Sequence, residues 1–300
     1  MHVVVAGASG VLGTALSRRL AFAGHEVTRL VRREARTGES RWDPYAGQVD
    51  QSVVDSADVV VNLAGAPTMG NPHSRRWATA LEESRVVTTR VLATSIARAH
   101  DSGAAPAMLA GNGISWYGDH GDQRLDESAA SRGDAFLTRV TRVWQEATTP
   151  ALEAGARVVV LRTAPVLHRS SAPLKQLTLS ARLGLATRIG RGQQFFPVIS
   201  RRDWVGAVTH LTTAPVSGPV NLCCPETATS AEFTRALADA VHRPSLLVAP
   251  APLVKIAAGR MAPEVLGSIR AVPSALLQSG YEFHDTDVRD VIATGLSAAD

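Results

Sequence analysis

The chain of 300 residues lacks the features that mark several large classes of protein. It has only two lysines, Lys175 and Lys255, so arginine supplies nearly all of its 31 basic residues. These residues are spread among 27 acidic ones, give a formal net charge of +4, and form no cluster longer than a pair. Nucleic-acid binding needs a basic stripe or a recognisable module. The sequence shows neither, and we expect no nucleic-acid partner.

Long apolar runs are also missing from the sequence. No apolar run approaches the roughly 18 residues that a membrane span requires. The opening "MHVVVAGASG" has no basic segment before its apolar residues and runs directly into glycines, unlike a signal peptide. We therefore expect a cytoplasmic protein without a membrane partner.

Cysteine is scarce, and the two that occur, Cys223 and Cys224, are adjacent in an apolar stretch. A disulfide between neighbouring residues is strained, and cytoplasmic proteins keep their thiols reduced. We expect two reduced, buried thiols. Histidine, cysteine and carboxylate residues do not cluster at the spacing of metal ligands, so we expect no metal site.

The clearest pattern in the sequence lies near its start, in "HVVVAGASGVLGTALSRRLAFAGHEVTRLVRR". The β-branched run from His2 to Val5 predicts a buried strand. Apolar residues at helical spacing then predict a helix that Gly24 ends, and a second strand follows from Glu26 to Val31. This is a βαβ unit of about thirty residues.

Three glycines, Gly7, Gly10 and Gly13, separate the first strand from the helix. In such a unit the first glycine permits a tight turn, the second lets backbone amides approach a pyrophosphate, and the third lets the helix pack closely on the sheet. The helix N-terminus adds unpaired amides and a positive dipole end. We predict a dinucleotide-binding loop made of Gly7, Ala8, Ser9, Gly10, Val11, Leu12 and Gly13.

The second strand ends in "VRRE" rather than in the acidic residue that would bind the ribose 2′-hydroxyl of NAD. A guanidinium at this place suits a 2′-phosphate, so the sequence favours NADP(H) with Arg32 as the main ligand and Arg33 and Ser9 nearby. The alternative, two solvated arginines at a strand end, stays open. A further strand, Val59 to Leu63, predicts that Leu63, Ala64 and Gly65 border the cofactor.

These motifs give the chain a resemblance to the extended short-chain dehydrogenase/reductase superfamily. It is most similar to the atypical branch of epimerase-family, nucleoside-diphosphate-sugar-epimerase-like proteins, which carry a C-terminal domain of unknown function. The segments that carry the resemblance are "GASGVLG", "VVNLAGAP", "ESRVVTTRVLATSIA", "SWYGDHGD", "GARVVVLRTAPVL" and "AVPSALLQSGYEF".

The resemblance implies an α/β fold, a Rossmann-type doubly wound parallel sheet with a smaller, mainly helical C-terminal lobe. It implies an NADP-binding domain over residues 1–222, with a substrate-lobe insertion at about 168–202, and a C-terminal substrate lobe over residues 223–300. The backbone after Arg162, with Pro165, is expected to line the nicotinamide. By capping preferences, Asp203 is expected to cap or charge a helix N-terminus, with contact to substrate as the alternative. Arg191, Arg201 and Arg202 are either surface residues or ligands of an anionic substrate group.

The superfamily uses a Tyr-x-x-x-Lys pair for proton transfer, in which the lysine lowers the pKa of the tyrosine. The three tyrosines of this chain, Tyr45, Tyr117 and Tyr281, are followed four positions later by Val49, Gly121 and Asp285, so the pair is absent. By the resemblance, Leu137 and Thr141 stand at the tyrosine and lysine positions.

The strip "LAGNGISWYGDHGD" carries Asn112 where relatives tend to carry a substrate-binding serine, with Ser115 as a weaker substitute. Asn112 can orient a carbonyl but cannot shuttle a proton. Tyr117 is either a proton donor or an aromatic residue that packs beside the pocket. Asp119, His120 and Asp122 fit solvated loop residues better than acids of a reaction.

Two functions remain open on these residues. The first is an NADP(H)-dependent oxidoreductase or epimerase-like enzyme for a small, sugar-nucleotide-like substrate, in which Asn112 and Tyr117 or water take part. The second is a non-catalytic NADP(H)-binding or sensing protein. In either case we expect a monomer or homodimer.

Overall fold

The structure is a computed structural model that describes residues 1–183, 186–245 and 247–297. The strands of this part of the chain are β1 His2–Ala6, β2 Glu26–Val31, β3 Glu39–Arg41, β4 Val59–Asn62, β5 Ala107–Gly113, β6 Arg124–Leu125, β7 Val158–Thr163, β8 Val166–Leu167, β9 Thr187–Ile189, β10 Ile199–Ser200, β11 Gly218–Leu222, β12 Leu247–Ala249 and β13 Arg270–Ala271.

The helices are α1 Val11–Phe22, α2 Gln51–Asp55, α3 Arg75–Asp101, α4 Phe136–Glu146, α5 Thr149–Glu153, α6 Ala172–Arg182, α7 Arg201–Thr213, α8 Ser230–Ala240, α9 Ala251–Ala258, α10 Ala262–Leu266, α11 Ser274–Gln278 and α12 Val288–Ser297. Short 3₁₀ helices cover Pro44–Ala46, Ile114–Trp116 and Gly259–Met261.

Seven strands form one sheet in the order β11-β7-β5-β4-β1-β2-β3. The pairs β1–β2, β1–β4, β2–β3 and β4–β5 are parallel, with Val4 opposite both Thr28 and Val60. The chain leaves β1 for β2 and β3 on one side and returns to β4 on the other, so the turn after β1 lies at a topological switch point. The predicted Rossmann-type α/β fold is confirmed.

The chain divides into two compact units. Unit 1 consists of Met1–Asn112, Val140–Leu161 and Val208–Pro219, and unit 2 of Gly113–Arg139, Arg162–Ala207 and Val220–Asp300. The predicted lobe of residues 223–300 falls in unit 2, and residues 298–300 lie outside the described part. The predicted boundary at residue 222 stays a prediction.

Unit 1 has its core between the sheet and the helices that flank it. Strand residues such as Val4, Val60 and Met108 pack with Leu92 and Ile96 of α3, and all five are completely buried. Strands β1 and β4 read as continuous apolar runs because both faces of a parallel sheet are covered. This core holds the ends of β1 and β4, from which the candidate site is built.

Unit 2 has a core of its own, which includes Phe233 and Leu237 of α8 and Val291 and Ile292 of α12. Thr229 and Glu232 form a reciprocal capping box at the start of α8. The helices α8 to α12 confirm the predicted helical C-terminal region.

Cys223 and Cys224 are both free and buried in unit 2. Burial raises the pKa of Cys224 to about 12, and it raises the pKa of Cys223 as well. Both side chains are therefore protonated thiols across the neutral pH range.

Asp203 lies in the first turn of α7, as predicted. It is completely buried, and its carboxylate accepts hydrogen bonds from the backbone amides of His284 at 3.0 Å and Asp285 at 2.8 Å. Arg202 pairs with the Asp285 carboxylate at 2.9 Å. Asp203 and Arg202 thus anchor residues 284–285 to the start of α7.

Candidate functional site

The turn between β1 and α1 depends on two of its three glycines for steric reasons. Gly7 has a φ of +78°, and a Cβ there would lie 2.6 Å from the backbone carbonyl carbon and oxygen of Leu63. A Cβ at Gly13 would lie 2.8 Å from the Cα atom of Ala8. The structure therefore has the predicted tight turn at Gly7, and at Gly13 it brings α1 close to the backbone of that turn.

Gly10 differs from the other two glycines, because no steric contact with the described residues requires a glycine there. Its φ of −74° suits any residue, and a Cβ would lie 3.4 Å from its nearest neighbour, the Gly7 carbonyl oxygen. Gly10 caps α1 without a side-chain hydrogen bond, and the first turn holds no acidic residue. The first amides of a helix have no intrahelical acceptor. The turn thus fits a pyrophosphate, which an uncapped helix N-terminus can bind.

The two predicted arginines after β2 have different partners. Arg33 donates two hydrogen bonds to the Glu39 carboxylate, at 2.7 and 2.8 Å, and Arg29 lies 3.4 Å from the same group. These contacts, the Arg33 hydrogen bond above all, lower the pKa of Glu39 to about 2. Arg32 is exposed, and within the described residues it makes no hydrogen bond or ion pair. Arg32 is therefore available for a ligand, whereas Arg33 neutralises Glu39.

The loop after β4, residues 63–68, is tied to α3 by buried polar groups. Asn62 is fully buried; its side-chain oxygen accepts from the Ala64 amide at 3.1 Å, and its Nδ2 donates to Thr89 Oγ1 at 2.9 Å. The Ala66 amide donates to Ser84 Oγ at 2.8 Å. Leu63, Ala64 and Gly65, predicted to border the cofactor, are thus held in fixed positions.

Arg85 of α3 also binds this loop, and the sequence motifs did not single it out. Its guanidinium donates to the Ala66 carbonyl at 3.1 Å and to Thr68 Oγ1 at 2.9 Å. Asn62 was missed as well, although a polar residue at the end of the apolar run "DVVVN" was a signal for it.

Asn112 is buried near the end of β5. Its Nδ2 donates to the backbone carbonyl of Thr141 in α4 at 3.1 Å. The structure therefore brings Asn112 beside Thr141, the residue that the resemblance places at the lysine position, and its amide nitrogen already has an acceptor there.

Tyr117 lies in unit 2 and is completely buried. Its hydroxyl lies 2.8 Å from Asn221 Oδ1 and 3.0 Å from the Asp126 carbonyl oxygen, either of which accepts its proton, and it accepts a hydrogen bond from Arg162 at 3.0 Å. Burial raises the pKa of Tyr117 to about 12. This environment favours the packing interpretation of Tyr117 over the proton-donor interpretation.

Arg162 and Pro165 are both in unit 2. Arg162 is buried, its guanidinium lies 3.5 Å from the centre of the Trp116 ring, and it donates to the Glu127 carbonyl at 3.2 Å. Pro165 is half-buried, and its carbonyl accepts from the Ile199 amide at 3.2 Å. The cofactor roles of these two residues stay predictions.

The rest of the strip forms contacts within unit 2. The Asp119 carboxylate accepts from the amides of Gly121 and Ser268, at 3.0 and 3.2 Å. Ser115 donates to Glu264, whose carboxylate also accepts from the Leu137 amide at 2.8 Å. Burial raises the pKa of Glu264. Glu264 thus receives an amide hydrogen bond at the second residue of α4.

The described residues hold neither a cluster of metal-ligating side chains nor a membrane-spanning helix. Histidine, cysteine and acidic side chains there form no group of three or more that could hold a metal ion. In the same part of the chain, no helix combines the length and the apolar character needed to cross a membrane.

Two segments of the chain match known protein families. Residues 3–166 match the NAD dependent epimerase/dehydratase family. Residues 249–294 match a domain of unknown function, DUF1731.

The chain is also similar to named proteins over nearly its whole length. It is 38% identical to the epimerase family protein Mb2239 of Mycobacterium bovis, over 97% of this chain and 96% of that protein. It is 34% identical to the human epimerase family protein SDR39U1, over 94% and 95%. A crystal structure of human SDR39U1 (isoform 2) with NADPH superimposes with a TM-score of 0.86 and 29% identity, covering 98% of this chain and 99% of that one.

Proposed function

The chain belongs to the NAD dependent epimerase/dehydratase family, and we propose that within this family it is an NADP(H)-binding oxidoreductase or epimerase-like enzyme. Its substrate is a small molecule of the sugar-nucleotide type. The dinucleotide occupies the turn Gly7–Gly13 of unit 1, and the nicotinamide supplies the hydride chemistry when it is bound. The protein works as a monomer or homodimer, without a nucleic-acid or membrane partner.

The availability of Arg32 is the observation that carries the choice of NADP(H) over NAD. Arg32 and Arg33 are adjacent at the end of β2, yet only Arg33 is paired with a carboxylate. An acidic residue near this place would repel a 2′-phosphate, but Glu39 is neutralised by Arg33 and Arg29. The NADPH in the structure of the human relative agrees with this choice.

Replacing Arg32 tests the choice directly. We expect Arg32→Ala to weaken NADPH binding about tenfold, or about 1.4 kcal/mol, because a charge-assisted contact to the 2′-phosphate is lost. NADH binding should change less than about twofold, since NADH has no 2′-phosphate. The measurement is the dissociation constant of each dinucleotide by calorimetry.

Arg18→Ala is the matched control, because Arg18 is exposed on α1, two turns from its start, and its loss changes the net charge equally. It should alter neither constant. Equal losses for NADPH and NADH in Arg32→Ala would contradict the assignment of Arg32 to the 2′-phosphate.

A second function, non-catalytic binding or sensing of NADP(H), is favoured by a different observation. Asn112 and Tyr117 are the two residues that the sequence offers for chemistry, and both side chains are engaged in protein hydrogen bonds. Tyr117 also has its pKa raised to about 12, whereas a tyrosine that acts as a base needs a lowered pKa.

Single-turnover mixing separates the two functions. NADPH-loaded protein is mixed with a panel of aldehydes, ketones and nucleotide sugars, and oxidation is followed by the loss of nicotinamide absorbance. The enzyme proposal expects at least one compound to oxidise the bound NADPH faster than it oxidises free NADPH at the same concentration. Binding without oxidation across the panel would favour the sensing function.

A further inference from the structure

Arg85 differs from the other arginines of unit 1 in what surrounds its charge. It projects from α3 to the loop of residues 63–68 and donates to the Ala66 carbonyl, the Leu81 carbonyl and Thr68 Oγ1, at 2.9 to 3.1 Å. The Trp144 ring lies 5.2 Å from the guanidinium carbon. Every one of these partners is electrically neutral.

No carboxylate in the described residues forms an ion pair with Arg85. Arg33 is paired with Glu39, and Arg202 of unit 2 with Asp285, and both of these arginines are half exposed. Arg85 is the more enclosed group, and burial lowers its pKa to about 10. A half-buried charge without a counter-ion costs some free energy, which neutral hydrogen-bond acceptors offset only in part. An anionic ligand would supply the missing charge.

The loop leaves one side of the guanidinium uncovered by a side chain. A Cβ at Gly65 would lie 3.4 Å from Arg85 Cγ and 3.5 Å from one terminal nitrogen. Gly65 does not have a positive φ, so its backbone does not require glycine. The same loop touches the dinucleotide turn, because Leu63 lies against Gly7. Arg85 therefore lies one loop away from the candidate pyrophosphate site, within unit 1.

We propose that Arg85 is an anion-binding residue that contacts a phosphate group of a ligand beside Gly65. The phosphate comes either from the pyrophosphate of the dinucleotide, which rests on the proposed function, or from a nucleoside-diphosphate substrate. A guanidinium suits either source, because it forms charge-assisted hydrogen bonds to phosphate oxygens.

The test measures dissociation constants for NADPH, NADH and UDP at two salt concentrations, in the wild type and in Arg85→Gln. A pyrophosphate contact predicts that NADPH and NADH both weaken about tenfold, unlike the NADPH-specific loss in Arg32→Ala. A substrate phosphate predicts that UDP alone weakens about tenfold. In either case the affected ligand should also lose part of its salt dependence, because an ionic contact is gone.

Arg90→Gln is the matched control, since Arg90 is an exposed arginine of the same helix, and it should leave all three constants unchanged. Gly65→Ala tests the site with the charge intact, because its methyl group covers the guanidinium. It should weaken the same ligand as Arg85→Gln, and it decides the question if Arg85→Gln fails to fold.

Two results would overturn the proposal. One is that neither Arg85→Gln nor Gly65→Ala weakens any of the three ligands beyond the Arg90→Gln control. The other is a loss of affinity with unchanged salt dependence, which would mean that Arg85 only holds the loop. A wild type that binds UDP but neither dinucleotide would refute the proposed cofactor while leaving the UDP measurement to decide on Arg85.

Discussion

The turn Gly7–Gly13 of unit 1 and the part of the strip that lies in unit 2, residues 113–122, differ in which groups they leave available. The turn has no side-chain cap and no acid in the first turn of α1, so the polar groups that it offers are backbone amides. In the strip, the Tyr117 hydroxyl is enclosed by Asn221 and Arg162. The turn thus leaves backbone amides available, whereas the Tyr117 hydroxyl at the centre of the strip is already hydrogen-bonded within the protein.

The largest effect expected is at Gly7, and it contrasts with Gly10 in the same turn. Gly7→Ala should destabilise the protein by roughly 3 kcal/mol, because of its positive φ and the collision with Leu63. Gly10→Ala should change the free energy of unfolding by less than about 0.5 kcal/mol, yet weaken NADPH binding about tenfold. Urea denaturation and calorimetry measure the two quantities.

Together, Gly7→Ala and Gly10→Ala distinguish a glycine that the backbone geometry requires from one that we expect to face the ligand. If Gly10→Ala binds NADPH as tightly as the wild type, the turn does not hold the pyrophosphate, and the contrast between the turn and the strip fails. If Gly10→Ala instead unfolds, Gly10 stabilises the fold in a way that the space around its Cα atom does not indicate.

An intermediate effect is expected in the strip. Tyr117→Phe removes a buried hydroxyl and leaves Asn221 and Arg162 each without one partner, which should cost about 1 to 3 kcal/mol of unfolding free energy. Tyr45→Phe is the control, because Tyr45 is exposed and its hydroxyl should contribute little. A loss of NADPH oxidation with unchanged stability in Tyr117→Phe would restore the proton-donor interpretation.

The smallest effect concerns two carboxyl groups whose pKa values move in opposite directions. In unit 1 Arg33 lowers the pKa of Glu39 to about 2, so the stability that this pair contributes is present above the unfolded pKa and lost as pH falls towards 2. In unit 2 burial raises the pKa of Glu264. Its contribution is therefore fully present below the unfolded pKa, near 4.3, and is lost as pH rises through the folded pKa.

Glu264→Gln should remove the pH dependence of stability that Glu264 contributes. Between about pH 4 and pH 7 the wild type should lose roughly 1 kcal/mol or less relative to the variant, measured by urea denaturation at each pH. Glu83→Gln, a change at an exposed residue of α3, should leave the pH profile as it is. Parallel profiles for the wild type and Glu264→Gln would show that Glu264 has an ordinary pKa.

The sequence predicted the parts of the fold that local patterns control. Strand β2 runs over Glu26–Val31 as predicted, and β1 extends one residue beyond the predicted end, to Ala6. The spacing of the apolar residues and the positions of the glycines are enough to predict this βαβ unit, because its turn is shaped by the backbone and not by side-chain contacts. That Arg33, and not Arg32, pairs with Glu39 was not predictable, since it depends on which side chain reaches that carboxylate in the folded structure.

Contacts between distant residues explain what the sequence missed in the strip. Tyr117 and its partner Asn221 are 104 positions apart, and no spacing rule connects them. The motif indicated that Tyr117 follows the end of a strand, but whether its hydroxyl was available depended on those partners. The surroundings of Arg85 were not predictable for the same reason, because only the folded structure shows that no carboxylate of the described residues forms an ion pair with it.

The adjacent free thiols of Cys223 and Cys224 provide a natural probe of the opening of unit 2. Both are buried and held in the protonated form, and they are the only cysteines of the chain. An alkylating reagent reaches them only when unit 2 opens, so the rate of modification counts opening events. The rate of labelling at increasing NADPH concentrations would show, without any engineered probe, whether NADPH binding changes how often unit 2 opens.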